Sequence, residues 1–243
     1  MQSSHIEYLP IPWPIYAFLA AALLIVATLI QIGLVRYVYA RLGISPLNAI
    51  LLLLASLLGA YINIPIWRFP GETRIMGERY DILGFQYVVP QEVDWPGTII
   101  AINVGGAVIP IALSIYLLYK NHIFLASLIG TLIVAIVCYE VAEPVPGMGI
   151  AIPIFIPPLV ACAAACTLAW SEAAPVAYVS GSLGTLIGAD LMNFPAIQDL
   201  GTPVASIGGA GTFDGIFVTG IGAVLLASMI GSIGARRAHP RTT

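Results

Sequence analysis

A chain of 243 residues that is 59% hydrophobic and only 9% charged is far from a soluble globular domain, in which roughly a quarter of residues are charged. With a mean hydropathy of +0.97 it reads as an integral membrane protein. The net charge of −3 and the lack of a basic stripe exclude nucleic acid as a partner.

The opening stretch "MQSSHIEYLPIPWP" lacks the basic segment of a cleaved signal peptide, so the first apolar run is expected to remain as a helix. A bilayer core about 30 Å thick requires roughly 20 apolar residues per helix. Seven runs meet that requirement: 15–35, 47–66, 98–119, 123–142, 150–170, 176–197 and 212–233. The predicted fold is therefore all-α, a polytopic bundle of seven transmembrane helices forming a single domain over residues 1–243. Arg36 and Arg41 follow the first run, Lys120 the third, and Arg236, Arg237 and Arg241 the last. With seven spans these basic residues share one side, which the positive-inside rule makes the cytoplasm: N-terminus out, C-terminus in.

One sizeable segment is expected outside the bilayer, the outer loop 67–97. Its "RYDILGFQYVVP" carries β-branched and aromatic residues around a glycine, which reads as a short strand or hairpin. Such an edge either pairs with an extended peptide or packs as a small lid on the outer face. Proline and glycine gather in "NVGGAVIP", "EPVPGMGIAIPIFIPP" and "GTPVASIGGAGT", at the outer ends of the third, fifth and seventh spans. Irregular backbone at membrane depth needs protein or water to satisfy it, so the three entries suggest a cavity open to the outside. The alternative is loop punctuation with small residues that let helices pack closely. Cys138, Cys162 and Cys166 all lie in apolar runs and suit buried small residues better than a disulfide framework.

The ionisable residues inside the spans carry the functional reading. Asp190, in "GTLIGADLMNF", lies about fifteen residues into the sixth span, roughly 20 Å from its cytoplasmic end. A charge at mid-helix is disfavoured by about 2.5–3.5 kcal/mol unless paired or protonated. Asp214, in "GGAGTFDGIFVTG", opens the seventh span after Thr212, where a helix dipole alone accounts for an aspartate by about 0.3–1 kcal/mol. Glu140 and Glu143 in "CYEVAEPVPG" lie near the interface and reach water easily. Asn63 and Asn103 lie at similar depth. Asp190 and Asp214 form the candidate catalytic pair. Glu140, Glu143, Asn103, Asn193, Gly209 and Gly211 complete a set for substrate or ion binding.

Absences narrow the chemistry. His5, His122 and His239 all fall outside the spans, so "SGSLG" (180–184), similar to a rhomboid-type serine motif, has no intramembrane base. No HExxH, nucleotide loop or dinucleotide fingerprint occurs, and neither a metal nor a cofactor is expected. Lys120 sits in a loop, which excludes a retinal Schiff base. Carboxylate chemistry remains.

Two carboxylates sharing one proton can act as base and acid on a water that attacks a peptide bond. Asp190 on one helix and "GAGTFD" (209–214) opening the next resemble, in outline, intramembrane aspartyl proteases of the presenilin and signal-peptide-peptidase type. Two residues separate Gly211 from Asp214, and Ala189 stands where that family has a tyrosine. That resemblance implies a transmembrane peptide as substrate. The second reading is a small transporter or a proton- or cation-binding protein, since broken helices beside carboxylates hold coupling ions in many transporters. A third is a non-catalytic accessory subunit whose acids stabilise helix packing among other membrane subunits.

Across its whole length the chain resembles a prokaryotic membrane protein family catalogued as domain of unknown function 1614. "INVGGAVIPIALSIYLL", "EPVPGMGIAIPIFIPP", "IGADLMN" and "IGGAGTFDGIF" carry that likeness. It implies a polytopic protein in the plasma (inner) membrane of bacteria and archaea, and brings no activity with it.

Overall fold

The structure, a computed structural model, describes residues 28, 32–82, 85–95, 97–145, 149–196, 202–209 and 215–238. Asp214, Gly211 and most of the first expected span lie outside the described residues. Helices α1 (Ile32–Arg41) and α2 (Pro46–Gly59) meet at 118° across a short turn in which Gly43 takes φ +71°. Ser45 caps α2, its Oγ accepting from Asn48 N at 3.4 Å, and Pro46 follows in the first turn, where its missing N–H leaves no bond unmade.

Strand β1 (Asn63–Arg68) leads into a hairpin of β2 (Glu72–Ile82) and β3 (Phe85–Trp95), and β4 (Ile99–Asn103) follows. A π-helical turn, Val104–Val108, opens α3 (Ile109–Asn121), and α4 (Phe124–Val141) comes next. A small hairpin, β5 (Glu143–Val145) with β6 (Gly149–Ala151), precedes α5 (Ile156–Leu168). Helix α6 (Ala173–Thr185) runs on into a second π-helical turn, Leu186–Leu191; β7 (Val204–Ile207) and α7 (Gly215–Ala238) complete the order.

The chain is thus mostly helical rather than all-α. Strands take the end of one expected span, 47–66, and the start of another, 98–119. The reason is long-range pairing: β4 lies between β1, antiparallel with Asn63 opposite Asn103, and β7, parallel with Ile99 opposite Val204. The apolar run "IIAIN" suits a strand buried between neighbours as well as it suits a helix. The expected hairpin in the outer loop is present, β2 and β3 pairing from Glu72 opposite Trp95 to Ile82 opposite Phe85.

Helix α6 is the axis of the bundle. All of its residues except Ala174 and Leu183 are buried, as befits a helix surrounded by others. Helix α4 is two-faced in the sense opposite to a soluble helix. Ser127, Gly130, Thr131 and Ala135 face inward, whereas Leu125, Leu128, Leu132 and Ile136 are exposed. Small residues between helices and branched aliphatics outside suit contact with lipid. Gly184 and Gly188 in "GTLIG" bring the seam between α4 and α6 together. A Cβ on Gly184 would lie 2.5 Å from Val134 Cβ, and one on Gly188 would lie 2.2 Å from Ala135 O. Among the described residues, α4 and the stretch Val104–Asn121 are long and apolar enough to cross a membrane; α1 with α2, counted as one bent span, makes a third.

Candidate functional site

The site is built where α6 ends. In the second π-helical turn Met192 N donates to Ile187 O at 2.8 Å, one residue further back than in an α-helix. The insertion leaves nearby carbonyls without their usual partners, and Asn193 Nδ2 donates to Gly188 O at 3.0 Å and Ala189 O at 3.1 Å. Asn193 therefore finishes the helix; its amide is committed to backbone.

Asp190 projects from this turn. Its Oδ2 accepts a 2.7 Å hydrogen bond from Gly208 N, and among the described residues Oδ1 has no hydrogen-bond partner. Gly208 has φ +92°, and a Cβ there would lie 2.7 Å from both the backbone N and the Cβ of Ala107. A glycine is therefore required for this amide to face the carboxylate while its loop packs on the first π-helical turn. Gly209, at φ +76°, continues the turn, its N–H donating to Ser206 O at 3.1 Å.

Beside Asp190 opens a cavity of about 260 Å³. Isoleucines of the segment after β5, Ile150 and Ile152 among them, form one wall. Thr185 and Asp190 of α6 and its π turn, with Gly215 and Thr219 of α7, form the others. Thr185 Oγ1 also lies 3.7 Å from Cys138 Sγ on α4. The second and third of the proline- and glycine-rich entries thus meet at Asp190, one as the β5–β6 hairpin and one as β7 with its glycine turn. The first packs beneath them, Ala107 joining Ile100, Leu186, Ile207 and Ile216 in a small apolar core.

Asn103, the second amide of the candidate set and a buried one, belongs to a separate network. Its Oδ1 accepts from Gly106 N at 2.8 Å, and its Nδ2 donates to Ala60 O at 2.8 Å and Asn63 Oδ1 at 3.0 Å. Ser206 Oγ donates to the same Asn63 oxygen at 2.6 Å. These four hydrogen bonds fasten β1, β4 and β7 to the first π-helical turn, and Asn103 does not line the cavity. Glu140, at the end of α4, and Glu143, in β5, are exposed and line no part of it. Among the described residues no group of three His, Cys, Asp or Glu side chains could hold a metal ion.

Thr185, Thr219 and the Gly208 amide were not legible as site residues. Threonines are common in apolar helices, and the amide acquires its role only when β7 pairs with β4. Gly208 did announce itself indirectly, through the glycine pair in "SIGGAG" that signals a positive-φ turn.

The fold defines a mostly helical protein with lipid-compatible outer faces and a carboxylate held at the irregular end of its central helix. The chain belongs to the family described as protein of unknown function, DUF1614, which it matches over residues 57–226, more than half its length. That range takes in both π-helical turns, Asp190 and Gly208. No curated protein and no solved structure matches the chain.

Proposed function

We propose that this is a multi-pass protein of the prokaryotic plasma membrane whose Asp190 forms a proton- or small-cation-binding site in the outer half of the bilayer, in a protein of transporter type. Seven spans with the N-terminus outside accord with the hydropathy and with the basic residues. Lys120, in the last turn of α3, donates to Gly43 O at 2.7 Å, two residues after Arg41, so these cations share one end of the bundle.

The cavity beside Asp190 carries the reading. At about 260 Å³ it has room for roughly eight waters, each claiming about 30 Å³ of liquid. It lies below the roughly 300 Å³ at which sites for organic ligands begin. One carboxylate oxygen is fixed by Gly208 N–H, while Thr185 and Thr219 line the same space. A carboxylate so placed is kept either by a proton on it or by a cation beside it. Irregular helix ends around a carboxylate are a recurrent way of holding coupling ions in transporters.

The test is flux in liposomes reconstituted with the full chain and loaded with a pH-sensitive dye. A proton- or cation-driven signal that disappears in Asp190→Asn, with folding retained, is expected. Equal signals from wild type and variant, or none from either, overturn the proposal.

One observation favours a second reading, the aspartyl pair. Gly215, next to Asp214 in sequence, lines the same cavity as Asp190. Under that reading, cleavage of a transmembrane peptide is lost in both Asp190→Asn and Asp214→Asn. Cleavage that survives either substitution ends it.

A further inference from the structure

A second recess lies at the other end of the bundle, between α2 and α3. It measures about 690 Å³ and is lined by Leu51, Leu52 and Ala55 from α2, and by Ile109, Leu113 and Tyr116 from α3. Leu51 and Tyr116 are about half exposed, at 54% and 50%, so the recess opens sideways, away from the bundle axis. Its mouth is polar. Gly43, Ser45 and Asn48 line it there, and Lys120 Nζ sits at its edge, bonded to Gly43 O and 5.3 Å from the centre of the Tyr116 ring. An ammonium has three N–H donors, and among the described residues Gly43 O accepts from Lys120.

Aromatic side chains mark the same level. Tyr37 lies under the Arg41 guanidinium at 5.1 Å, and Tyr119 packs edge-on against Phe124 at 5.3 Å; all three rings are exposed. Exposed tyrosines beside cations are the signature of a membrane–water boundary. From Lys120 up α3 to Ile109 is about 16 Å at the α-helical rise, roughly one leaflet of a hydrocarbon core about 30 Å thick.

We infer that this recess holds one acyl chain of an anionic glycerophospholipid whose phosphate is bound by Lys120. The inference rests on the membrane reading above, but not on any role for Asp190. Charge and depth agree: the cation stands at headgroup level, and the apolar slot descends from it through one leaflet. A leucine- and isoleucine-lined slot takes the chain, and the remaining ammonium N–H groups meet the phosphate. The cation–π contact with Tyr116 holds the ammonium at the mouth. Lys120 is bound to the α1–α2 turn, so an occupying lipid would also brace that bend.

The experiment uses the full chain, delipidated in mild detergent and then supplied with phosphatidylglycerol or phosphatidylcholine, with bound lipid read by native mass spectrometry. Wild type is expected to retain phosphatidylglycerol in preference by about fivefold, the worth of one basic residue at an anionic surface. Lys120→Met should remove that preference and Lys120→Arg restore it. Ala55→Trp, which fills the slot, should prevent retention of either lipid while helical content by circular dichroism is unchanged. Inorganic phosphate should not compete. A preference that survives Lys120→Met, retention that survives Ala55→Trp, or displacement by phosphate alone overturns the inference. Failure of the chain to enter lipid nanodiscs would instead overturn the membrane reading itself, so the two failures are distinguishable.

Discussion

The two π-helical turns, Val104–Val108 and Leu186–Leu191, are built alike and do different things. Each is accompanied by an asparagine that satisfies backbone freed by the irregular winding: Asn103 before the first and Asn193 after the second. Each sits against a neighbour through glycine. At the first, the polar side chains are consumed within the protein, for Asn103 reaches Gly106 N, Ala60 O and Asn63 Oδ1 together. At the second, Asp190 gives one oxygen to Gly208 N and borders a cavity. Irregular helix alone therefore does not mark a site. What marks the second turn is an ionisable group that the fold anchors without enclosing it on all sides.

That contrast can be broken most severely at the helix seam. Gly188→Ala places a Cβ on the Ala135 carbonyl and is expected to destabilise the protein by about 3 kcal/mol through overpacking. Thermal unfolding in detergent, followed by circular dichroism, reads it, and an unchanged midpoint would show that the seam yields. Next comes Asn103→Leu, which strands the Gly106 amide and the Ala60 carbonyl. A loss of about 2 kcal/mol is expected, and a neutral result would show the first turn to be held by packing alone. Asn193→Ala removes a half-buried amide that water can in part replace at the Gly188 and Ala189 carbonyls, so about 1 kcal/mol is expected. Asp190→Asn should shift stability by no more than about 0.5 kcal/mol, because an amide oxygen still accepts from Gly208 N–H. It should nonetheless abolish ion-dependent flux. Asp190→Leu sharpens the point: hydrogen exchange at the Gly208 amide should accelerate in that variant and stay slow in Asp190→Asn. Equal exchange in both would mean that the bond does not hold the β7 turn.

Much of the architecture was readable from local pattern. Apolar runs located α3 and α4, and alternating β-branched and aromatic residues around Gly84 located the β2–β3 hairpin. Asp190 stood out because an ionisable group in an apolar run is disfavoured wherever it lies. The strands β1, β4 and β7 were not readable. "NIPIW" and "IIAIN" differ little from helix ends in composition, and their partners lie 31 or more residues away. The asparagines were visible, yet their division of labour was not. Asn103 and Asn193 look equally suited to ligand binding until their backbone partners are known.

By itself, the sequence determined the cast: a strongly apolar composition, long apolar runs, and few ionisable groups within them. These are additive properties of residues, so they survive without knowledge of contacts. The tertiary structure decided which of the polar residues are consumed and which face space. Hydrogen bonds in a low-dielectric interior are short-ranged and exclusive, so a carboxylate's role depends on a particular amide, here Gly208, arriving within 2.7 Å. Only the pairing of β7 with β4 brings it there.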